Sequence, residues 1–446
     1  MTTLATPAPP PTSTLAPPPP ARTGRLRLAD VGAVDPPARS RRVMYLSHHA
    51  RLSGGEISLL ALLRTIDRSR IEPIVVVGSD GPLADALAAE RVRVVVVPMD
   101  DGLADTRKGS LGVGALRQAG KLGAAVGWSR RVARLARHER VDLIHANTLK
   151  ADFLGAVAGK LAGVPVLWHV RDRIDDDYLP SPAVRAVRGA ARVLPCEVWT
   201  NSRASAVTIR PGVADDRLPR VLHEGVTLRG EHRLPPIDRP DGRVVGMVGR
   251  LAEWKGQHVF LDAAVRVLER HPDTRFRLIG SAMFGEEDYE ARLLAQVDRL
   301  GLGDRVAFMG YRQDVPEQLA DLDVFVHASI TGEPFGKVIV EAMAAGCAVV
   351  ATRGGGVPEI VVDGITGSLV PMNDAEAMAE AIAPLLDDID LARRMAEAGR
   401  QRVHARFLQE HVTEHATALY ERLFRRLDID CARAAARPPR PVLAST

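Results

Sequence analysis

Cysteine is scarce in this chain of 446 residues, which holds three of them, Cys196, Cys347 and Cys431. They are widely separated, odd in number and lack Cys-x-x-Cys spacing, which excludes a disulfide framework and a thiolate metal site. Isolated thiols are typical of a reducing compartment, so we expect a cytoplasmic protein.

Long apolar runs are lacking as well. No stretch approaches the roughly 18 uninterrupted apolar residues of a transmembrane helix, and no basic start followed by an apolar stretch marks a secretory signal. Aromatic residues make up 4% of the chain, and the net charge is only +4. Because no aromatic and basic platform is visible, we expect no binding of nucleic acid.

Strand-length and helix-length segments alternate through most of the chain. Strand-length runs lie at 42–46, 74–78, 92–97, 143–146 and 164–170, of which 74–78 and 92–97 are rich in β-branched residues, and a second series lies at 244–248, 275–279, 306–309, 324–327 and 348–351. Such alternation predicts α/β architecture, with parallel sheets covered by helices on both faces. Two Rossmann-like domains in tandem would face each other across a cleft, where ligands bind at the carboxyl ends of the strands.

The domain boundaries follow from composition. Residues 1–40 are rich in Pro, Ala, Ser and Thr and bury too little apolar surface to offset their ordering entropy, so a disordered tail is predicted. The other predicted parts are a first domain over 41–225, a linker over 226–242, a second domain over 243–410, a C-terminal helix crossing back over 411–430 and a flexible tail over 431–446.

One segment carries the most specific signal, EPFGKVIVE at residues 333–341. It follows a predicted strand, places Glu333 in a loop and puts Glu341 about a turn inside the next helix. Gly336 permits close approach of the backbone to a ligand, and the free N–H groups at the helix start can receive an anion or sugar hydroxyls. Two acids near a helix start can also do no more than stabilise its dipole.

This segment resembles the Glu-x7-Glu signature of the family-4 retaining glycosyltransferases, which have the GT-B fold. The resemblance extends from about residue 41 to about residue 425. It implies that Glu333 binds hydroxyls of the transferred sugar, helped by the backbone at Phe335 and Gly336. It also implies that Glu341 accepts hydrogen bonds from the ribose of the donor.

A second match is VGRLAEWKG at residues 248–256, in which the resemblance assigns the donor diphosphate to Arg250 and Lys255. Fixed cations there stabilise the charge that develops on a leaving nucleoside diphosphate. They are unfavourable neighbours for a helix N-terminus, which favours a ligand role over a surface one.

Glycine-rich loops complete the resemblance. GGGVPE at 354–359 is similar to the family's Gly-Gly-x-Pro-Glu loop and makes Gly355 a predicted donor contact. Gly54 and Gly55 resemble the loop over the diphosphate and acceptor, and His169 would lie beside the transferred sugar. His145, which follows another strand, is open to a structural or a functional interpretation, and so is the pair 201–202.

Two further features of the sequence bear on possible partners and metals. The segment 107–140 is strongly basic and carries Trp128, Val132 and Leu135 at helical spacing, which suits either peripheral contact with the inner membrane surface or a solvated basic face on a core helix. His411, Glu414 and His415 match an inverted zinc motif but lack a third ligand. No metal and no cofactor are predicted, since the nucleotide sugar is itself a substrate.

The sequence therefore predicts a hexosyl-type retaining transferase that uses a UDP- or GDP-linked sugar and an unidentified acceptor hydroxyl on a glycan, lipid or small molecule. A GT-B epimerase or hydrolase acting on a UDP-sugar is the first alternative. A sugar-nucleotide-binding subunit without activity is the second. Neither the acceptor nor the oligomeric state can be read from one sequence, because acceptor pockets are built from variable loops.

Overall fold

The computed structural model describes residues 39–100, 115–228, 234, 239, 242–283 and 285–435. Seven parallel strands make up its first sheet. They are β1 Arg41–Ser47, β2 Ile71–Val77, β3 Arg93–Val96, β4 Leu143–Ala146, β5 Val166–Val170, β6 Glu197–Thr200 and β7 Arg220–Val221. The order across the sheet is β3-β2-β1-β4-β5-β6-β7.

Helices cover both faces of this sheet. They are α1 Gly54–Thr65, α2 Pro82–Ala89, α3 Ala115–His138, α4 Leu149–Ala162, α5 Ser181–Ala190 and α6 Arg203–Ile209. Because both faces are buried, the strands read as continuous β-branched runs rather than as an alternation of apolar and polar residues. In β2, for example, residues 73–77 are all buried.

The second sheet has six parallel strands in the order β10-β9-β8-β11-β12-β13. They are β8 Val244–Val248, β9 Arg275–Ile279, β10 Val306–Phe308, β11 Val324–His327, β12 Ala348–Thr352 and β13 Ser368–Val370. Its helices are α7 Gln257–Arg270, α8 Glu287–Leu300, α9 Val315–Ala320, α10 Lys337–Ala345, α11 Val357–Ile360, α12 Ala375–Asp387 and α13 Ile389–Arg406. The two sheets confirm the predicted α/β class with two Rossmann-like domains.

The strand order places a topological switch point in each sheet. Strand β1 lies between β2 and β4, and β8 lies between β9 and β11, so the chain leaves these central strands toward opposite sides. Crevices outside the carboxyl ends of such strands are where open α/β sheets bind ligands. We therefore expect a ligand to bind at the loops after β1, β4 and β5 and at the loops after β8, β11 and β12.

The last helix, α14 Gln409–Ala435, packs on the first sheet rather than on the second. Its start runs beside the connection between the domains, where Gln409 N donates to Val226 O at 2.9 Å. Farther along, Tyr420 and Phe424 join a core cluster with Tyr45 of β1. The helix extends to Ala435, into the tail predicted at 431–446, whereas residues 1–38 of the predicted N-terminal tail and residues 436–446 lie outside the described residues.

Helix α3 turns its apolar side toward the core. Trp128 is 0% exposed and donates from Nε1 to Val97 O at 2.9 Å, and Val132 is buried in the same cluster. Exposed positions on the helix include Arg130, Arg131, Arg134 and Arg137. Trp128 and Val132, two of the apolar residues on which the predicted membrane contact of 107–140 rested, are therefore core residues, and Leu135 packs against them. Residues 107–114 lie outside the described part, and the membrane contact stays a prediction.

Candidate active site

Glu333 is buried at the carboxyl edge of the second sheet. It lies in the loop between β11 and α10, where the carboxylate accepts from Lys255 Nζ at 2.8 Å and from Ser329 Oγ at 3.0 Å. His327 Nε2 lies 3.3 Å from the same oxygen. Burial acts to raise the pKa of Glu333, but the Lys255 ammonium and the His327 hydrogen bond outweigh it and lower that pKa below its usual range. The group is thus held as a carboxylate.

The loop after Glu333 can offer backbone groups to a ligand, but not the side chain of Phe335. The Phe335 ring is 1% exposed and stacks on His223 with ring centroids 5.6 Å apart, so only the Phe335 backbone can contact a ligand. Gly336 has φ +104° and precedes the first residue of α10, a conformation that strains residues with a Cβ. The turn leaves the first backbone N–H groups of α10 at the carboxyl edge of the sheet, which suits an anion or hydroxyl oxygens.

Gly355 supports this loop from the side. It forms a parallel bridge with Glu333, and Gly356 N donates to Glu333 O at 2.8 Å. A Cβ on Gly355 would lie 1.9 Å from that same carbonyl oxygen. The structure therefore places Gly355 against the Glu333 backbone, and the close approach that glycine permits here is between two protein segments.

Glu341 lies farther along α10 and is half-buried. Its carboxylate is 4.0 Å from Lys337 Nζ, while Lys337 donates to Gly225 O at 2.9 Å, in the connection from the first domain. Burial raises the pKa of Glu341, and the charge of Lys337 partly opposes this. Lys337 thus bridges Glu341 and the connection between the domains.

Arg250 and Lys255 belong to one loop after β8. Gln257 Nε2 donates to Arg250 O at 2.8 Å and closes the loop, and Arg250 Nε lies 3.2 Å from a carboxylate oxygen of Glu286. The Lys255 ammonium sits 4.2 Å above the Trp254 ring, a cation–π contact that fixes it beside Glu333. The structure thereby brings Lys255 and Glu333 into direct contact, with Arg250 in the same loop.

The first domain contributes Gly54 and Gly55 at the start of α1. A Cβ on Gly55 would lie 3.2 Å from Arg171 Cδ, whereas a Cβ on Gly54 meets no atom within 4 Å. Arg171, after β5, donates to Asn147 Oδ1 and to Glu224 Oε1, each at 3.1 Å. A buried cation and its acceptors therefore line the same edge as the glycine pair.

His169, the last residue but one of β5, is 1% exposed. Its Nδ1 lies 3.1 Å from His145 Nε2, and its Nε2 has no hydrogen-bond partner among the described residues. Burial, the charge of Arg171 and the second imidazole lower the pKa of His169 well below its usual value, so the ring is neutral. It borders a small cavity together with Ser58, Arg171, His223 and Glu224.

Several contacts join the two edges. Ser202 Oγ donates to Pro334 O at 2.6 Å, and Arg173 Nη1 donates to Gly332 O at 3.2 Å. The Glu359 carboxylate accepts the backbone N–H groups of Arg203 and Ala204, both at 2.9 Å. The loop that carries Glu333 is thus held by the first domain as well as by its own sheet.

Some of these residues escaped sequence reasoning. Ser329 and His327 end a predicted strand, and their polarity just before the Glu333 loop was a usable signal. Glu224 and Tyr420 gave no local signal, because each acts through contacts far away in sequence.

In the described part of the chain, no three His, Cys, Asp or Glu side chains are grouped as metal ligands, His411 and His415 included. No described helix is long and apolar enough to cross a membrane.

Two family models match this chain, one described as glycosyl transferases group 1 over residues 232–402 and one as a glycosyl transferase 4-like domain over residues 53–210. Together with the two sheets and the charged loops between them, they define a two-domain glycosyltransferase of the GT-B class. The chain belongs to the GT-B glycosyltransferases of the family-4 type, as its sequence predicted.

Individual relatives agree with this membership. The D-inositol 3-phosphate glycosyltransferase of Corynebacterium urealyticum is 38% identical over 187 residues, 41% of this chain and 43% of the relative. The lipopolysaccharide core biosynthesis mannosyltransferase LpsB of Rhizobium meliloti is 32% identical over 43% of this chain and 58% of the relative. The chain spans about half the length of the curated relatives it matches.

A solved structure covers more of the fold. Anabaena Alr3699/HepE, crystallised with UDP and glucose, superposes with a TM-score of 0.73 at 28% identity, and the match covers 85% of this chain and 99% of that one. Both Rossmann-like domains are therefore shared with a protein that binds a nucleotide and a sugar.

Proposed function

We propose that this chain is a retaining glycosyltransferase that moves a hexosyl group from a nucleoside diphosphate to an acceptor hydroxyl. The observation that carries this proposal is the buried Lys255–Glu333 pair, whose atoms are 2.8 Å apart at the carboxyl edge of the second sheet. A cation and a carboxylate side by side match the two ends of a donor, its diphosphate and its sugar hydroxyls.

Each group has a defined task in this proposal. Lys255 and Arg250 stabilise the negative charge that grows on the diphosphate as the glycosidic bond breaks. Glu333, held ionised, accepts hydrogen bonds from sugar hydroxyls and orients the ring, and the N–H groups at the start of α10 assist. No step requires a metal, and we propose none.

The donor is best sought first among UDP-sugars. HepE was crystallised with UDP and glucose. Its sequence identity of 28% to this chain, over 99% of its own length, makes UDP-glucose the first candidate. GDP-linked sugars follow, since LpsB is a mannosyltransferase. A ligand present at about 100 times its Kd stabilises a protein by about 2.7 kcal/mol, so a thermal-shift panel of nucleotides and sugar nucleotides identifies the donor directly.

Turnover separates this function from its alternatives. The donor is incubated with the full chain, with and without a panel of hydroxyl acceptors, and the products are resolved by NMR. Transfer with the donor's anomeric configuration kept supports the proposal. Release of free sugar or formation of an epimer without any acceptor supports the hydrolase or epimerase, and binding without turnover supports the inactive subunit.

Glu341→Ala is expected to weaken UDP binding by about tenfold to a hundredfold, because a hydrogen bond to a charged group contributes about 1.5–3 kcal/mol. Calorimetric titration with UDP measures it. The matched control is Glu376→Ala, in the first turn of α12, whose side chain is 66% exposed. Equal UDP affinities in the two variants would contradict the proposed hydrogen bond between Glu341 and the ribose.

A further inference from the structure

Four side chains form a hydrogen-bonded row behind His169, running from the C-terminal helix into the first sheet. Tyr420 on α14 donates to the Tyr45 hydroxyl at 2.9 Å, His145 Nδ1 lies 2.5 Å from the Tyr420 hydroxyl, and His145 Nε2 lies 3.1 Å from His169 Nδ1. Tyr45, Tyr420 and His145 are 0% exposed, and His169 is 1% exposed. The polar atoms of the first three side chains are paired within the row and do not meet solvent.

The protons of the row can be placed one after another. The Tyr420 hydroxyl donates its hydrogen bond to the Tyr45 oxygen, so the Tyr420 oxygen accepts from His145. His145 must then carry its proton on Nδ1, which leaves its Nε2 bare. The 3.1 Å contact to His169 therefore requires a proton on His169 Nδ1.

Charge around the row supports neutral rings. Burial and the positive charge of Arg171 lower the pKa of both histidines well below the usual value. Arg171 Nη2 is 3.4 Å from His169 Nδ1, longer than its 3.1 Å bonds to Asn147 and Glu224, so it contributes charge rather than a strong hydrogen bond to the ring. A neutral ring protonated on Nδ1 has a lone pair on Nε2, the one polar atom of the row without a partner in the described residues.

We propose that Tyr420 and His145 are positioning residues that hold His169 as its Nδ1–H tautomer, with Nε2 as the acceptor for a hydroxyl of the transferred sugar. The C-terminal helix thus sets the hydrogen-bonding character of a residue near the carboxyl end of β5. The identity of the hydroxyl donor rests on the proposed function, whereas the tautomer of His169 does not.

The tautomer is measured first, on the full chain labelled with 15N-histidine. The expected spectrum shows His169 protonated on Nδ1 in the wild type and a mixture of tautomers in Tyr420→Phe, where His145 has lost its acceptor. A wild-type His169 protonated on Nε2 overturns the proposal. Because this readout needs no substrate, it stands even if the chain proves to transfer no sugar.

Kinetics then test the consequence for the sugar. Tyr420→Phe is expected to lower kcat/KM for the donor about tenfold, the loss that follows from one weakened hydrogen bond to the transferred sugar, while the Kd for UDP, which lacks that transferred sugar, stays unchanged. The matched control is Tyr289→Phe, a buried tyrosine whose hydroxyl lies 2.9 Å from His258 Nδ1 in the second domain. A loss of UDP affinity equal to the loss in kcat/KM would show a general structural defect instead.

A double-mutant cycle closes the test. If Tyr420 acts through His169, then Tyr420→Phe has no further effect on kcat/KM once His169→Ala is present, although each change alone reduces it. His169→Gln, which keeps an acceptor oxygen, is expected to recover part of the activity lost in His169→Ala. Additive effects of the two substitutions would overturn the coupling.

Discussion

Lys255→Met is expected to lower kcat by a hundredfold to a thousandfold. The substitution keeps most of the side-chain volume over Trp254 but removes the ammonium that we propose faces the diphosphate. Removing one preorganised group that stabilises transition-state charge costs about 10²–10³ in rate. Steady-state turnover of the donor identified by the nucleotide panel measures the effect, and UDP titration reports how much is lost already in binding.

The same variant should be less stable, in a way that depends on pH. In the wild type the pKa of Glu333 is lowered, so its contribution to stability is present above its ordinary pKa and fades only as pH falls through the lowered value. Without Lys255, burial acts with less opposition and raises that pKa, so the unpaired carboxylate is costly at neutral pH and is relieved by protonation. The difference in Tm between wild type and variant is expected to narrow as pH falls from 7 toward 4.

The double variant Lys255→Met with Glu333→Gln separates stability from chemistry. Breaking a buried ion pair by removing one partner costs about 3–5 kcal/mol, whereas replacing both partners by neutral groups is often tolerated. We therefore expect the double variant to regain most of the lost Tm but none of the lost turnover. Recovery of both would mean that the pair serves only the fold.

Long strands and locally encoded motifs were accessible from the sequence. The β-branched runs that become β1, β2, β8 and β12 are buried on both faces, so composition alone indicates them. Strands β7 and β13, of two and three residues, were not predicted. The Glu333 loop was found because strand, glycine turn and helix start are contiguous in the chain.

Contacts between distant segments were not accessible. His145 meets Tyr420 across 275 positions, and nothing near either residue announces the pairing. The surroundings of a helix face were a second limit on prediction. A helical pattern indicates that Trp128 faces something apolar, but it does not say whether this is a protein core or a membrane. Gly355 shows the same limit, because a glycine's close neighbour can be a phosphate or, as here, a carbonyl of the protein.

The site consequently has two layers. The groups proposed to meet a donor, such as Lys255 and Glu333, are specified by short motifs, and the groups that hold them in place come from other parts of the fold. Ser202 and Glu359 tie the loops of one domain to the other, and Lys337 ties α10 to the connection between them. Relative movement of the domains would therefore displace the Glu333 loop and change its geometry together with the width of the cleft.

Gly355→Ala tests the supporting layer most directly, and we expect it to lower turnover at least a hundredfold. The new Cβ would lie 1.9 Å from the Glu333 carbonyl oxygen, a separation that atoms cannot adopt, so one of the two segments must move. Movement breaks the 2.8 Å hydrogen bond from Gly356 N and carries the Glu333 carboxylate with it. Displacement of a substrate-orienting group by about 1 Å can cost about 10² in rate.

Gly364→Ala is the matched control for this change. Both glycines have a positive φ, +58° at Gly355 and +72° at Gly364, so an alanine is strained at either position by about 1–2 kcal/mol. A Cβ on Gly364, however, meets no atom within 4 Å. Thermal unfolding should therefore show a modest loss for Gly364→Ala and a larger one for Gly355→Ala, while only the latter loses turnover. Equal activity in the two variants would mean that the Glu333 loop is positioned without Gly355, and the close packing of these two segments would then serve stability alone.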